Sequence, residues 1–568
     1  MAGARARGRS IVTTPDPLAG LDEEQRLAAE SLLGPVVLLA GAGTGKTRAI
    51  THRIAHGVVS GVYSPGRVLV LSFTNRAASE VRGRLRALGA PGIQSRTFHS
   101  AALAQLSHFW PEVAGGSLPR IVDAKARLIA HAAESLRLRL DTASLRDLAA
   151  EIEWRKVSGL TIEQYEASVA ERPLPPQLSA TAAVELHRAY ERLKDERRQL
   201  DFEDVLLACA GMIESEPRVA QQVRAQYRFF VVDEYQDVSP AQQRLLDLWL
   251  GDRNDVCVVG DSSQTIYSFA GARPDYLLGF AKRYPDAAVI RLENNYRSTP
   301  AIVDTANRLM RGRAGALDLR SAMVEEGAKP SFDGFPSDTA EARAVAARVA
   351  EQIAAGTPAQ DVAVLYRMNV QAAALETALA DVGVSTVVRG GVRFFDQPDV
   401  KRALLMLRGS TIVESQDPLF KTVSDVLRSL GWTQRPPESR GAVRERWESL
   451  NAIMALAEAQ PAGTDLGAFV TEIHERAAAH HEPTMAAVTL ATLHSAKGLE
   501  WHTVHLVGVS EGLVPISYAT TDAALDEERR LLYVGLTRAR RRLHVTWSRS
   551  SQRGEREPSR FLAELGQA

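Results

Sequence analysis

The chain has 568 residues, 45% hydrophobic and 24% charged, with 68 basic and 68 acidic side chains. At roughly 100–200 residues per domain this length makes about three to five domains, and the zero net charge argues mildly against attachment to nucleic acid by bulk charge while leaving room for a local basic channel. Two cysteines, Cys209 and Cys257, are too few for a disulfide framework or a Cys-rich zinc site and fit a reducing, cytoplasmic compartment, and no run approaches the ~18 apolar residues that would span a membrane.

Residues 1–20 carry Arg5, Arg7 and Arg9 among small residues, lack the apolar core of a signal peptide, and read as a disordered basic tail. Leu21 to Arg26 opens the first helix, with Asp22 as its N-cap. Within that helix the Gln25 amide can pair with both N6 and N7 of adenine, although taken alone a surface glutamine on a helix explains the position better. Val36 to Leu39 is a short buried strand, followed by Ala40-Gly41-Ala42-Gly43-Thr44-Gly45-Lys46-Thr47 and a helical run from Arg48. Strand, small-residue loop and helix make a phosphate loop: backbone N–H groups wrap a phosphate, Lys46 reaches the β/γ-phosphates and the Thr47 hydroxyl holds Mg²⁺. Ala40 stands where the strict pattern has glycine.

Arg67 to Phe73 is a second buried strand running into Thr74-Asn75-Arg76-Ala77-Ala78, and Ser95-Arg96-Thr97-Phe98-His99-Ser100 repeats the pattern. In a parallel α/β sheet ligands lie outside the carboxyl ends of strands, so Phe73, Thr74, Asn75, Arg76, Thr97 and His99 suit a nucleic-acid strand held by phosphate contacts and stacking. Each turn alone is equally a capped helix start. From 101 to 198 the pattern is helical, with a loop at Pro173, Pro175 and Pro176. Arg228 to Asp237 then returns to a buried strand ending in Asp233 and Glu234, the arrangement in which one carboxylate holds Mg²⁺ and the next polarises water. Val256 to Tyr267 is another strand with a polar turn: Gln264 is placed to meet a γ-phosphate, and Tyr267 and Phe269 to touch bases. Downstream, Tyr296 offers a flat face to a purine and Arg297 fits an arginine finger.

The second half repeats the alternation. Val362 to Tyr366 is a strand ending in the cation Arg367, and Val388 to Phe395 is a strand or turn before a helix. The stretch 404–486 is mostly helical, broken at Pro436-Pro437. Val488 to Trp501 re-enters a sheet with His494 and Glu500 in its turn, Val504 to Val509 is a strand, Glu527 to Ala539 is a helix with Arg538 near its end, and Leu543 to Trp547 is the last strand.

Taken in order, Gln25, Ala-Gly-Ala-Gly-Thr-Gly-Lys-Thr, Phe-Thr-Asn-Arg-Ala-Ala, Thr-Phe-His-Ser, Val-Asp-Glu-Tyr-Gln-Asp, Gly-Asp-Ser-Ser-Gln-Thr-Ile-Tyr, Asn-Tyr-Arg-Ser, Thr-Leu-His-Ser-Ala-Lys-Gly-Leu-Glu and Tyr-Val-Gly-Leu-Thr-Arg-Ala resemble the UvrD/Rep/PcrA family of superfamily 1 DNA helicases, from about Leu21 to Leu562. The resemblance implies an α/β fold of two RecA-like P-loop domains, each interrupted by a helical insertion: 21–100 with 199–293, inserted 101–198; and 294–403 with 487–568, inserted 404–486. It implies ATP with Mg²⁺ in the cleft between them. Gln25 and Tyr296 would contact adenine, the loop 40–48 the phosphates, Thr47 and Asp233 the metal, and Glu500 the ribose region. Lys46, Asp233, Glu234, Gln264, Arg297 and Arg538 would act in hydrolysis, the two arginines as fingers. Single-stranded DNA would pass Phe73, His99, Tyr267, Phe269, Arg367 and His494, with 3′→5′ movement on single strands and 3′-tailed duplexes and a DNA-repair protein as partner.

Phe269 stands where relatives usually have tryptophan, and Arg76 where they have lysine. The second insertion is short, as in an actinobacterial UvrD-like branch whose motor is usually followed by a Cys-rich segment and a small helical module. This sequence stops at Ala568 and its two cysteines cannot supply that segment, so ATP hydrolysis and translocation are expected ahead of unaided unwinding. The alternatives are a translocase that displaces proteins or unwinds with a partner and, from another class, a nucleotide-gated DNA-binding scaffold, against which the full set of carboxylates and arginines speaks.

Overall fold

The computed structural model describes residues 16–140, 142–172, 174, 175, 178–389, 395, 397–411, 417–435, 442–458, 460, 461, 463–478, 486–551 and 554–566. The basic tail up to residue 15, Pro173, Pro176, 390–394 and Pro436-Pro437 lie outside them. The chain divides into two compact units: Met1–Ala40, Gly45–Gly260 and Tyr267–Leu292 form one; Gly41–Thr44, Asp261–Ile266 and Glu293–Ala568 form the other.

The first unit is built on six parallel strands: β1 (Val36–Ala40), β2 (Val68–Ser72), β3 (Gln94–Thr97), β4 (Phe229–Val232), β5 (Val256–Gly260) and β6 (Ala288–Leu292), in the order β3-β2-β4-β5-β1-β6. The apolar runs of the sequence are its inner strands, because a parallel sheet covered on both faces buries every residue. Val36, Leu38, Val68, Val70, Phe229, Val231, Cys257 and Val259 share one core with Ile50 and Ile54 of helix Lys46–Val59. Val37, Leu69, Leu71, Phe230, Val232, Val256 and Val258 face the other core, with Leu206 and Leu245. Each fully buried side chain of this kind contributes about 1.5–3 kcal/mol.

Helix Phe98–Val113 spans residue 101, where the insertion is expected to begin, yet its Ala101, Ala102, Leu106 and Phe109 belong to the sheet core. A separate helical core starts later, in helices Lys125–Ser135, Thr142–Val157, Ile162–Ser168 and Ala180–Glu196, around Ile129, Ile152, Tyr165, Leu186 and Tyr190. Its two chain connections are pinned together by a short parallel ladder, Arg120 beside Gln199 and Ile121 beside Leu200.

The second unit has six parallel strands of its own: β7 (Ser331–Phe335), β8 (Val362–Tyr366), β9 (Thr386–Arg389), β10 (Val488–Thr492), β11 (Trp501–Leu506) and β12 (Ala539–Ser548), ordered β7-β12-β11-β8-β10-β9. The two sheets together are the α/β architecture expected of RecA-like domains. Helices Pro398–Ser410, Leu419–Ser429, Ala442–Glu458 and Leu466–Ala478 enclose a distinct core of Val400, Leu407, Val423, Leu427, Leu450, Phe469 and Ile473. Trp432 and Trp447 wall it, each satisfying its indole N–H, on Asn451 Oδ1 at 3.1 Å and on the Thr433 carbonyl at 2.8 Å.

Candidate nucleotide site and nucleic-acid surface

At the carboxyl end of β1 the chain turns through Gly43 and Gly45, both with left-handed backbone (φ 72° and 81°), and enters the helix at Lys46. Gly45 is the N-cap and supplies no capping side chain, so the first N–H groups of this 14-residue helix are left for a ligand. A Cβ on Gly45 would stand 2.8 Å from Gln25 Nε2. The loop is braced by Thr44 Oγ1 donating to the Gly41 carbonyl at 2.9 Å, and Arg48 Nη2 donates to the Gly20 carbonyl at 2.8 Å. Within the second unit, Asn295 Nδ2 donates to the Ala42 carbonyl at 2.6 Å and Tyr296 N–H to the Gly43 carbonyl at 2.9 Å, while the Tyr296 ring is about half exposed.

Asp233 and Glu234 follow β4. The Asp233 N–H continues the ladder onto the Leu71 carbonyl, which holds its carboxylate at the sheet's end. Burial first, and then the adjacent Glu234 charge, push the Asp233 carboxyl up to about 7 against the pull of Lys46. Lys46 Nζ lies 3.5 Å from Glu234 Oε1. Buried Asp233 beside partly exposed Glu234, with Lys46 of a helix N-terminus facing the pair, fits a magnesium-bound nucleotide phosphate.

Gln264, 4% exposed, donates from Nε2 to Asp261 Oδ2 at 2.7 Å and accepts from Arg538 Nη2 at 3.0 Å. Lys497 Nζ holds the Gln264 carbonyl and Arg530 Nε the Thr265 carbonyl, both at 2.7 Å. Arg538 is almost fully buried and also donates to the carbonyls of Val534 and Leu499 and to Thr537 Oγ1. Arg297 meets Glu500 and donates to the Thr537 carbonyl, so the two arginines converge on one residue. Burial opposes the charge on Glu500, but Arg297 and Arg540 outweigh it and hold the carboxyl below its ordinary range.

Of the expected nucleic-acid residues, Phe73 stacks on Tyr267 with ring centroids 5.5 Å apart, and Tyr267 meets Phe269 edge-on at 6.1 Å. Phe269 is 64% exposed. Thr74 and Thr97 cap the helices Asn75–Ala87 and Phe98–Val113, so Asn75 and Arg76 sit in a first turn, as does His99. Burial, then the Lys125 charge, lowers His99 to about 4. His494 is lowered to about 4 by burial, then by Arg367 and Lys497. Arg367 is engaged by Glu528. Several participants carry no expectation from the sequence. Gln236 donates to Glu234, Asn295 holds the phosphate-loop carbonyl, and Phe202, 55% exposed, stacks on His99 at 3.9 Å. In the sequence Gln236 is signalled by its place inside Val-Asp-Glu-Tyr-Gln-Asp, which assigns it no role.

The family model of the UvrD/REP helicase N-terminal domain matches residues 21–285, and that of the UvrD-like helicase C-terminal domain matches 290–442 and 443–550. ATP-dependent DNA helicase UvrD2 of Mycobacterium tuberculosis (strain ATCC 25618 / H37Rv) is 48% identical over 573 residues, covering 96% of this chain and 82% of the relative. ATP-dependent DNA helicase UvrD1 of Mycobacterium tuberculosis (strain CDC 1551 / Oshkosh) is 31% identical, covering 97% and 85%. ATP-dependent DNA helicase PcrA of Bacillus subtilis (strain 168) is 28% identical, covering 96% and 86%.

Proposed function

The chain belongs to the UvrD-like family of ATP-dependent DNA helicases, and from that premise we propose that it is a single-stranded-DNA-stimulated ATPase that moves 3′→5′ in the service of DNA repair. The observation that carries the reading is the meeting of Lys46 with the Asp233/Glu234 pair at the carboxyl end of the first sheet, in the same unit as the Phe73–Tyr267–Phe269 aromatic run.

In this reading Gln25 and Tyr296 take the adenine, residues 40–48 cradle the phosphates, and Lys46 leaves Glu234 for the β/γ-phosphates. Thr47 and Asp233 would hold Mg²⁺, which when bound would supply neutralisation of phosphate charge. Glu234 polarises the attacking water, and Arg297 and Arg538 stabilise the γ-phosphoryl group. Gln264 answers to Arg538 through its side chain and leads along the chain to Tyr267, so occupancy of the phosphate site is communicated to the aromatic surface. Phe73, Tyr267 and Phe269 stack on bases, and Thr74, Asn75, Arg76, Thr97, His99 and His494 complete the track. The helical groups 125–196 and 398–478 serve as the two insertions. The small four-helix core of the second favours ATP-driven translocation, with duplex unwinding assisted by a repair partner. Among the described residues no helix is long and apolar enough to cross a membrane, which fits a cytoplasmic setting.

ATP turnover measured with and without single-stranded DNA tests the motor: DNA raises it, and Lys46→Ala abolishes it. Turnover indifferent to DNA removes the reading. Strand displacement from a 3′-tailed but not a 5′-tailed duplex, with and without candidate partners, tests polarity and dependence on assistance; a 5′ preference reverses the assignment.

A further inference from the structure

Glu234 is one of three non-glycine residues, among those described, in left-handed backbone, at φ 53° and ψ 43°. Such a conformation is strained for a residue with a Cβ and persists where neighbours enforce it. Its neighbour two positions on, Gln236, lies in the short turn Tyr235–Asp237 and is completely buried. Gln236 Nε2 donates to Glu234 Oε2 at 2.5 Å and lies 3.4 Å from Asp237 Oδ2. The other oxygen, Oε1, is the one that faces Lys46. The space for the Gln236 amide comes from the last residue of β5: a Cβ on Gly260 would stand 2.5 Å from Gln236 Oε1 and 3.2 Å from the Gln236 backbone nitrogen. Leu277 Cδ2, at 2.9 Å, closes the same slot.

We propose that Gln236 is a positioning residue for ATP hydrolysis. Its buried amide fixes one oxygen of Glu234, so that the oxygen released when Lys46 turns to the phosphates is the one presented to water. The inference rests on the reading of Glu234 as the group that polarises that water. The carboxylate can rotate about its last torsion, and a donor on Oε2 alone removes that freedom; groups that orient a reacting side chain in this way are typically worth about 10–100-fold in activity. The slot at Gly260 adds a second link. Gly260 begins the chain segment that runs on to Gln264 and Tyr267, so the orientation of Glu234 depends on the same strand end from which the DNA-facing turn departs.

The test compares Gln236→Ala, Gln236→Glu and Glu234→Gln in DNA-stimulated turnover, with equilibrium binding of a non-hydrolysable ATP analogue and the thermal midpoint measured on each. Gln236→Glu keeps the shape but sets carboxylate against carboxylate. Both Gln236 variants are expected to lose about 10–100-fold in kcat while analogue affinity stays within about twofold of the parent. A crystal structure of Gln236→Ala with the analogue is expected to show the Glu234 carboxylate rotated. Adding Gln236→Ala to Glu234→Gln costs nothing further, and Gly260→Ala loses kcat non-additively with Gln236→Ala. Parent-like kcat in both Gln236 variants, with Glu234→Gln inactive, overturns the inference and leaves the function of Glu234 intact. Full turnover in Glu234→Gln overturns both. A fall in analogue affinity equal to the fall in kcat makes Gln236 structural and overturns the positioning role.

Discussion

Arg367 leaves the end of β8 with its guanidinium laid across Glu528, Nη2 to Oε1 at 2.8 Å and Nε to Oε2 at 3.1 Å. Glu528 also accepts the Ile516 N–H at 3.2 Å, and both side chains are mostly buried, 12% and 7% exposed. A two-point, charge-assisted contact of this kind fixes helix Asp522–Leu536, which leads into Arg538, against the strand end. Arg367→Ala would strand the Glu528 charge, at a cost of about 3–5 kcal/mol in stability. Urea unfolding should record that loss and its partial recovery in Arg367→Ala/Glu528→Gln. The salt dependence of DNA binding should keep its slope; a slope reduced by about one, with stability unchanged, would make Arg367 a phosphate contact. The sequence places Arg367 at a polar strand end and so suggests DNA, but carries no sign of Glu528, which faces it from 161 positions away.

Between elements, the first unit has a buried ionic joint. Lys156, at the end of helix Thr142–Val157, reaches Asp201 Oδ2 and Asp204 Oδ1 at 2.6 Å and Glu191 at 3.1 Å. Lys194 contacts Glu191 at 2.6 Å and Asp204, and Tyr190 donates to Asp201 at 3.0 Å. Asp201 and Asp204 are at the same time the reciprocal cap of helix Phe202–Ser215, whose Leu206 and Cys209 lie in the sheet core. The joint therefore ties the helical insertion to the nucleotide-binding sheet. Burial alone would raise the Asp201 carboxyl, but Lys156 and Lys194 outweigh it and leave it well below its ordinary range; Glu191 is lowered by the same balance. Folded-state values below the unfolded ~4 mean that this stabilisation is complete above pH about 4 and is lost as the pH falls further. Lys156→Ala is expected to cost about 3–5 kcal/mol at pH 7 and to flatten the acid limb of stability below pH 4. Urea midpoints of parent and variant across pH 7 to 3 check this, and parallel curves would remove the joint's role. None of it is legible in the sequence, where Lys156 looks like an exposed helix end and its partners stand 45 and 48 residues away. The inner strands are legible for the opposite reason: Val68 to Leu71 and Phe229 to Val232 are apolar throughout because both faces are covered. Edge strand β3, Gln-Ser-Arg-Thr, has no such signature and is found only through the turn that follows it.

Among the described residues there are several cores rather than one, including two on the faces of the first sheet, one in the helical group after residue 121, one under the second sheet and one in the four helices from 398 to 478. The ordered motifs make the proposed nucleotide residues legible in the sequence because most of them sit at strand-to-turn junctions. The boundaries of the helical groups are blurred, since helix Phe98–Val113 is as helical as the insertion it precedes and only its packing assigns it to the sheet. A chain with separate cores should not unfold in one step, and calorimetry is expected to give a van't Hoff enthalpy below the calorimetric one. A non-hydrolysable ATP analogue with Mg²⁺ at 100 times its Kd adds about 2.7 kcal/mol to whichever transition contains the phosphate loop. That transition should also be the one shifted down by Lys156→Ala, because the joint and the Gly45–Thr47 end of the loop, which carries Lys46, belong to the same unit. Lys46→Ala should erase the analogue's shift and leave the ligand-free scan in place, since Lys46 is partly exposed and its ion pair with Glu234 is long, at 3.5 Å. One transition with equal enthalpies, or an analogue shift that survives Lys46→Ala, would contradict the assignment of nucleotide binding to this loop and the independence of the cores around it.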